Sequence, residues 1–220
     1  MPIRNAAVLL VGLSILVSAG GGCASTRIAL NERLGYTKRE QLVDRVKDAR
    51  DEQVGAKKQF SSALEEFKAI TGVTTPADLE KQYSKIESAY ERSTEKAGGV
   101  SERIASVERV ANLLFAEWRE EIKQISADDA KRASQDQLAR TQSEYEQLLG
   151  AMKSAESKMQ PVLTALNDRR LLLKHSLNAA AIASLQGNLA QLQTDIDSLI
   201  AEMEAAINEA NAFIDRSSAK

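Results

Sequence analysis

The chain contains little of what most enzyme centres and metal sites are built from. Its 220 residues include one cysteine, one histidine, three prolines, one tryptophan, four tyrosines and four phenylalanines. A single cysteine cannot form an internal disulfide, and one cysteine with one histidine cannot complete a structural zinc site. With 29 basic and 31 acidic residues the net charge is −2, so we expect no polycationic surface for nucleic acid. No metal, no cofactor and no nucleic-acid partner are therefore predicted.

The longest apolar run lies at the start of the chain. Residues 6–19 (AAVLLVGLSILVSA) follow Arg4 and would reach about 21 Å as a helix, which is less than the roughly 30 Å of a bilayer core. This length is typical of a secretory signal rather than a permanent membrane span. We predict a signal peptide over residues 1–22 and a tether over residues 23–36.

The junction at Cys23 resembles the signal of bacterial lipoproteins, in which the cysteine is diacylated and becomes the first residue of the mature chain. It departs from that pattern at Gly20, where such signals usually carry an aliphatic residue. An ordinary secretory signal with an unpaired thiol is the alternative, but such a thiol invites intermolecular bridging in an oxidising compartment. Ala24, in place of aspartate, resembles the outer-membrane sorting pattern. We predict lipidation of Cys23 and attachment to the periplasmic face of the outer membrane.

The remaining chain shows no period-two alternation and indicates four amphipathic helices. Thr37 and Glu40 form a capping box at the start of the first helix, and Gly72 is expected to cap its end. Thr75 is expected to cap the second helix, and the break at residues 126–129 begins the third. The predicted helices lie near residues 37–71, 76–125, 127–175 and 178–215.

Apolar residues recur in each helix at alternating spacings of four and three, which predicts narrow apolar seams and knobs-into-holes packing. Short connections make neighbouring helices antiparallel. The predicted fold is therefore all-α: an elongated antiparallel helical bundle, or coiled-coil hairpins, of about four long helices within residues 37–216. Five polar residues interrupt the seams: Gln53, Ser93, Glu121, Thr141 and Arg169.

Glycine and proline interrupt two of the helices. Gly98-Gly99 weakens the second helix by about 2 kcal/mol relative to two alanines, which predicts a bend. Pro161 removes one backbone hydrogen bond from the third helix and predicts a kink. The sequence leaves open whether these positions act as hinges.

Few residues outside the seams suggest chemistry. His175 is the one side chain that could titrate near neutrality, and we interpret it as a capping or bridging residue between the third and fourth helices. Trp118 lies on a seam, so core packing is the first interpretation and a partner contact the alternative. No catalytic residue is predicted; Arg169, His175 and Glu121 are where polar residues near the seams would make a site worth seeking.

Two acidic clusters lie near the junction of the second and third helices. Basic residues alternate with them, which is typical of a solvated helix face. Binding of a cation is the alternative interpretation, because carboxylates three or four residues apart share one face of a helix. The clusters are Glu117, Glu120 and Glu121, and Asp128 and Asp129.

Residues 38–50, 106–118 and 173–187 resemble an uncharacterised family of bacterial lipoproteins described only as a domain of unknown function. The resemblance covers nearly all of the mature chain. It implies a lipidated cysteine and a helical coiled-coil body, and it brings no catalytic or binding residues. The small residues of the segment 178–187 predict a tight helix junction, with a surface for a partner helix as the alternative.

Together these features predict a non-enzymatic, membrane-anchored lipoprotein that acts as a scaffold, tether or adaptor. The lipid on Cys23 would hold the protein, and its helices would contact a protein partner or a second copy. The alternative is a membrane-associated coiled coil that self-assembles in envelope stress or remodelling. That function needs an extra apolar surface, and residues 28–36 are short and weakly basic.

Overall fold

The protein folds into four long α-helices. The computed structural model describes residues 37–73, 75–175 and 179–218, with side chains for all of these except 179–185 and 218. The helices are α1 (Lys38–Ala69), α2 (Pro76–Gln124), α3 (Asp128–His175) and α4 (Ala179–Ser218), and a short 3₁₀ turn (Ile70–Gly72) follows α1.

The helices contain 32, 49, 48 and 40 residues in chain order. At 1.5 Å per residue they are rods of about 48, 74, 72 and 60 Å. Their bounds lie within three residues of those expected from the sequence, and no strand occurs among the described residues. The all-α prediction is confirmed.

The helix starts follow the sequence closely. The Glu40 backbone N–H donates to Thr37 Oγ1 at 3.3 Å, and the Thr37 N–H donates to Glu40 Oε2 at 2.8 Å, which completes the capping box. At α2 the Asp78 N–H donates to Thr75 Oγ1 at 3.2 Å. The end of α1 differs: the α-helix stops before Gly72, and a 3₁₀ turn, rather than a glycine cap on the α-helix itself, ends it.

The four helices form one closed antiparallel bundle, in which each helix packs against two neighbours: α1 with α2, α2 with α3, α3 with α4, and α4 with α1. Ion pairs mark the levels at which they meet. Lys38 Nζ lies 2.8 Å from Glu117 Oε2 between α1 and α2, and Lys57 Nζ lies 3.2 Å from Glu204 Oε1 between α1 and α4. The packing of α4 on α1 makes this a single bundle rather than separate hairpins.

The predicted seams fill the interior. Burying such apolar stripes is the main source of stability in a helical bundle. On α4, the seam positions Ile182 and Leu185 lie outside the described side chains. The seam residues of α1, of the 3₁₀ turn and of α4 that are at most 2% exposed are Leu42, Val46, Ala49, Gln53, Ala56, Phe60, Ala63 and Phe67 of α1, Ile70 of the turn, and Leu192, Ile196, Leu199, Met203, Ala206, Ala210 and Phe213 of α4.

Two seam assignments on α2 need correction. Glu121 is exposed, and Ile122 is buried in its place at 5% exposure. Beyond Trp118, α2 has only α3 beside it, so the buried face turns. Phe115, which the heptad spacing left outside the seam, is 4% exposed and packs edge-to-face on Tyr145 with ring centres 5.4 Å apart. The buried stripe is therefore wider than a heptad seam, because each helix has two neighbours.

The glycine pair and the proline lie inside continuous helices. Gly98-Gly99 is in the middle of α2, and Pro161 is in the C-terminal half of α3. Gly98 and Gln160 line the same groove, so these interruptions of the two helices meet at one level of the bundle.

Candidate functional site

The polar residues named from the sequence do not form one site. Arg169 and His175 lie towards the same end of α3, whereas Glu121 lies near the opposite end of the bundle. Glu121 is 38 positions along α2 from Tyr83, which neighbours the Arg170 end of α3, a separation of about 57 Å along the axis. His175 and Glu121 are exposed. The structure does not assemble these three side chains into a catalytic group.

Arg169 donates hydrogen bonds to backbone carbonyls of two helices. Its Nη1 donates to Ala165 O at 2.8 Å, and its Nη2 donates to Asn188 O of α4 at 3.1 Å. Burial lowers the pKa of Arg169 from its usual value, with a smaller opposing effect from Asp195. Arg169 therefore joins α3 to α4 where the fourth helix begins.

The acidic clusters are surface groups. Glu117 pairs with Lys38, and Glu120 Oε1 lies 2.6 Å from Lys123 Nζ on the same helix. Asp128 and Asp129 begin α3, where carboxylates are favourable near the positive end of the helix dipole. Among the residues that the structure describes, no group of histidine, cysteine or acidic side chains is arranged to hold a metal ion.

Trp118 packs in the core, which agrees with the first of the two interpretations of this residue. The side chain is 9% exposed, and its Nε1–H donates to Ser134 Oγ at 3.0 Å across α2 and α3. The Arg39 guanidinium lies 4.9 Å above the indole ring, which adds a cation–π contact from α1. Trp118 thus joins three segments where α1 begins.

An ion pair between a lysine of α2 and a glutamate of α1 joins these helices beside the glycine pair. Lys96 Nζ donates to Glu52 Oε1 at 2.9 Å. A Cβ on Gly99 would come within 2.9 Å of that same Glu52 oxygen, so the missing side chain leaves room for the carboxylate. A Cβ on Gly98 would meet no atom within 4 Å. The two adjacent glycines therefore have different surroundings, and only Gly99 makes room for a neighbour.

Gln53 is the one polar α1 seam residue, and it is fully buried. Neither its amide nitrogen nor its amide oxygen has a hydrogen-bond partner among the described residues. The seam residues on either side of it, Ala49 and Ala56, are also buried. An unpaired amide in such a place lowers the stability of the bundle.

Two polar clusters join α2 to α3. Near one end, Glu87 Oε1 accepts hydrogen bonds from Arg170 Nη1 and from the Tyr83 hydroxyl, each at 3.1 Å, and Arg170 lies 5.0 Å from the Tyr90 ring centre. Burial, with the hydrogen bond to Glu87, raises the pKa of Tyr83. These contacts hold α3 against α2 near the N-terminal end of α2.

The second cluster lies further along α2. Lys153 Nζ lies 2.6 Å from Glu108 Oε1. Burial, and to a lesser degree the charge of Glu108, raises the pKa of Tyr145 to about 12. Between this pair and the Glu87–Arg170 pair, no hydrogen bond or ion pair joins α2 to α3 within the described part of the chain.

A groove of about 410 Å³ opens on the bundle surface in the interval between those two clusters. We call this feature the α2–α3 groove. Its floor is formed by buried apolar side chains and its walls by small or polar residues. Gly98 was expected to lie at a bend, and the sequence contains no signal for a groove there. The lining residues are Thr94, Ala97, Gly98, Ser101, Glu156, Met159, Gln160 and Leu163.

A small, partly open cavity lies at the end of the bundle where α1 begins. Its volume is about 20 Å³, which is room for about one water molecule. Glu144 and Arg216, 3.5 Å apart, lie on its wall between α3 and α4. A space of this size does not admit an organic substrate.

Exposed leucines occur singly. Leu113 and Leu172 are each 39% exposed and lie towards opposite ends of the bundle. Leu113 shares a shallow surface depression with Lys38 and Lys123. Isolated exposed apolar residues are ordinary on protein surfaces and do not mark an interface.

The predicted lipidation site lies outside the described residues. Cys23 and Gly20, the signal peptide (1–22) and the tether (23–36) precede Thr37, and most side chains of the segment 178–187 are also outside the described set. In the part of the chain that is described, none of the helices combines the length and the apolar character required to cross a bilayer.

The fold and the described surface define an all-α protein built as one antiparallel four-helix bundle. Residues 28–217 match the model of the family described as "Protein of unknown function (DUF2959)". The chain belongs to this family, which agrees with the expected domain of unknown function with a helical body. No curated protein and no solved structure matches the chain.

Proposed function

We propose that the protein is a non-enzymatic adaptor of the bacterial envelope, held on the membrane by a lipid on Cys23. The bundle would be the working part of the molecule, and its outer surface would contact a protein partner. The periplasmic face of the outer membrane is the proposed location. This function follows from the lipoprotein-like signal together with the shape of the helical body.

The observation that carries the adaptor role is the continuous packed core. Apolar seam residues from all four helices fill the interior along the length of the bundle, and the small cavity at the end where α1 begins has room for about one water molecule. Catalytic sites are usually concave pockets of several hundred Å³ with convergent polar groups. A long rod with a filled interior offers surface instead, which suits a tether or an adaptor.

The position of Thr37 supports attachment by one end. Lys38 pairs with Glu117 near the C-terminal end of α2, so the chain enters the bundle beside the turn that joins α2 to α3. Residues 24–36 can span at most about 45 Å. The opposite end of α2 lies about 70 Å further along the axis. A lipid on Cys23 would therefore hold the rod near the membrane and leave its length accessible.

Labelling of cells with an alkyne analogue of palmitate tests the anchor. We expect the wild-type protein and the Ser25→Ala control to incorporate the label, and Cys23→Ser to lose it, because only the cysteine thiol starts the lipid attachment. A chain in which residues 1–23 are replaced by an ordinary cleavable secretory signal should be released as a soluble protein.

Label on Cys23→Ser equal to that on wild type would contradict the proposed anchor, and so would wild-type protein without label. Firm membrane attachment of the chain with the exchanged signal would show that the helical body itself binds the bilayer. That result would favour the alternative of a self-assembling membrane coiled coil. Two acyl chains are enough for stable anchoring, so the labelled protein should resist extraction by salt.

A further inference from the structure

The positive charges in the middle of α2 are all directed towards α1. Arg92 Nε donates to Gln59 Oε1 at 3.4 Å, and Lys96 Nζ donates to Glu52 Oε1 at 2.9 Å. Arg103 Nη1 lies 3.5 Å from Asp48 Oδ2. These three cations serve the α1–α2 interface, so they are turned away from the α2–α3 groove.

The outward face of α2 carries negative charges. Glu91, Glu95 and Glu102 are exposed and make no hydrogen bond or ion pair within the described residues. At 100° per residue they lie about 20° to 60° from Gly98 around the helix, on the side away from Thr94, Ala97 and Ser101, so they form the outer rim of the groove and not its lining. Glu156 of α3 lines the groove from the other side. The groove is therefore bordered by four carboxylates.

Lys158 of α3 lies inside the interval but is directed to α4, where its Nζ lies 3.0 Å from Glu202 Oε1. At the edge of the interval, the charge of Lys153 interacts with Glu156 as well as with Glu108. The nearest cations that face the α2–α3 boundary are Arg170 and Lys153, and each is paired with a glutamate of α2. Those partners, Glu87 and Glu108, are 21 positions apart, which corresponds to about 31 Å along α2. The groove is thus an acidic stretch closed at both ends by ion pairs.

The centre of this stretch has room for another chain. Gly98 has open space where a side chain would be, and Thr94 and Gln160 beside it are exposed. The apolar groups of Ala97, Met159 and Leu163 form the floor. Missing side-chain atoms at a helix surface let a second backbone approach closely.

We propose that the α2–α3 groove is a docking site for a basic amphipathic helix of a partner protein. Small apolar residues of that helix would lie over Gly98, and its lysines or arginines would face the four carboxylates. The argument for this occupant is charge complementarity, which favours specificity and fast association, together with the unfilled space at Gly98. This inference names the partner surface of the proposed adaptor and so depends on that function.

The test uses the full chain and a synthetic helix as probe. The probe is a fluorescent peptide of about 21 residues, matched to the 31 Å interval, with lysines on one face and alanine and leucine on the other. Its control peptide has every lysine replaced by glutamate. Fluorescence anisotropy should show binding of the lysine peptide that weakens as salt is added, and no binding of the glutamate peptide.

Two variants of the groove should lose this binding. The triple variant Glu91→Gln, Glu95→Gln and Glu102→Gln should weaken it about tenfold and flatten its salt dependence, because complementary charge is removed. Gly98→Leu fills the groove without changing any charge and should weaken binding by a similar factor. Circular dichroism at 222 nm, together with the thermal midpoint, checks that both variants fold.

A matched control lies on α4, which carries six acidic residues and one basic residue and is the most acidic helix. The control variant is Asp197→Asn, Glu209→Gln and Asp215→Asn, which removes the same three charges from another surface. It should leave affinity unchanged within about twofold. Equal loss in the two triple variants, or full binding by Gly98→Leu, would overturn the proposal, since attraction would then be general rather than directed to the groove.

Absence of binding by the lysine peptide would also overturn it. Binding of the protein to itself through the groove, seen as a dimer that Gly98→Leu disrupts, would assign the surface to a second copy and contradict the proposed partner. None of these measurements depends on lipidation. A failed anchor at Cys23 and a failed docking site would therefore be told apart.

Discussion

The unpaired amide of Gln53 leads to a prediction that runs against the usual effect of core substitutions. The side chain is fully buried, and both of its amide atoms have no hydrogen-bond partner among the described residues. Burying an amide without a partner costs about 1–3 kcal/mol in mutational data. Methionine has a similar unbranched chain with no group that needs a hydrogen bond, and it adapts well to irregular packing. Gln53→Met should therefore raise the free energy of unfolding by about 1–3 kcal/mol.

Guanidinium denaturation followed by circular dichroism at 222 nm measures this change. The guanidinium concentration at the midpoint of unfolding should rise, and the dependence of the free energy of unfolding on guanidinium concentration should stay the same. The thermal midpoint should rise by about 2–4 °C for each kcal/mol of added stability. Gln82 provides the matched control. It is 6% exposed, and its Nε2 donates to Glu66 O at 2.7 Å, near the end of α1 where carbonyls lack helical partners.

Because the Gln82 amide nitrogen donates both to Glu66 O and, at 3.0 Å, to Glu66 Oε2, Gln82→Met should lower the free energy of unfolding by about 1–2 kcal/mol. The opposite signs of the two substitutions are the essential result. If Gln53→Met destabilised the protein as much as Gln82→Met does, Gln53 would have to be satisfied in the native state. The interpretation of its amide as a source of instability would then be wrong.

The remaining predictions concern the glycine pair and one tyrosine. Gly98→Ala should raise the free energy of unfolding by about 1 kcal/mol, because alanine favours the helix and nothing obstructs its Cβ. Gly99→Ala should raise the free energy of unfolding less, because the new Cβ displaces the Glu52 carboxylate. In a Glu52→Ala background, urea denaturation should show that this difference between the two glycines disappears. If Gly99→Ala stabilised the protein equally with and without the Glu52 side chain, the close contact would be contradicted. Tyr145 should ionise near pH 12 in an absorbance titration at 295 nm, and Tyr145→Phe should remove that step. Its raised pKa gives stability that is complete below about pH 10 and is lost as the pH rises towards 12; if Tyr145→Phe removed a step near pH 10 and not one near pH 12, this assignment would be refuted.

The helices and their seams could be predicted because the signals for them are local. The capping box at Thr37 and Glu40 depends on residues three positions apart, and the seams depend on spacings of three and four. Glu121 was misassigned because a fixed spacing was continued past Trp118, where α1 no longer lies beside α2. Phe115 was missed because a helix with two neighbours buries more than a heptad seam.

The α2–α3 groove could not be predicted from the sequence, because it depends on which helices lie side by side. Glu91, Glu95 and Glu102 appear in the sequence among alternating cations, which is typical of a solvated helix. Only the packing shows that the cations of this stretch turn towards α1 and leave the carboxylates on the outward face. Gly98 was interpreted as a bend, and its open surroundings became evident only when α3 was placed opposite.

Lipid anchoring and the groove fit one functional account. The chain enters the bundle beside the α2–α3 turn, so a lipid on Cys23 would hold the molecule at that end. The groove is centred at Gly98, about 39 Å from Gln124 along α2. It would therefore stand clear of the headgroups, where a partner helix could reach it. The acidic rim would also be repelled by anionic lipids, which favours a protein occupant.

Photo-cross-linking in cells tests the adaptor account most directly. A photoreactive amino acid at Gln160 lies in the α2–α3 groove, and one at the exposed Asn208 of α4 serves as the control position. The account predicts one discrete adduct at Gln160, whose cross-linked peptide is a basic amphipathic segment by mass spectrometry and which disappears in the Glu91→Gln, Glu95→Gln, Glu102→Gln background. No adduct at Gln160, or the same adducts at both positions, would contradict it.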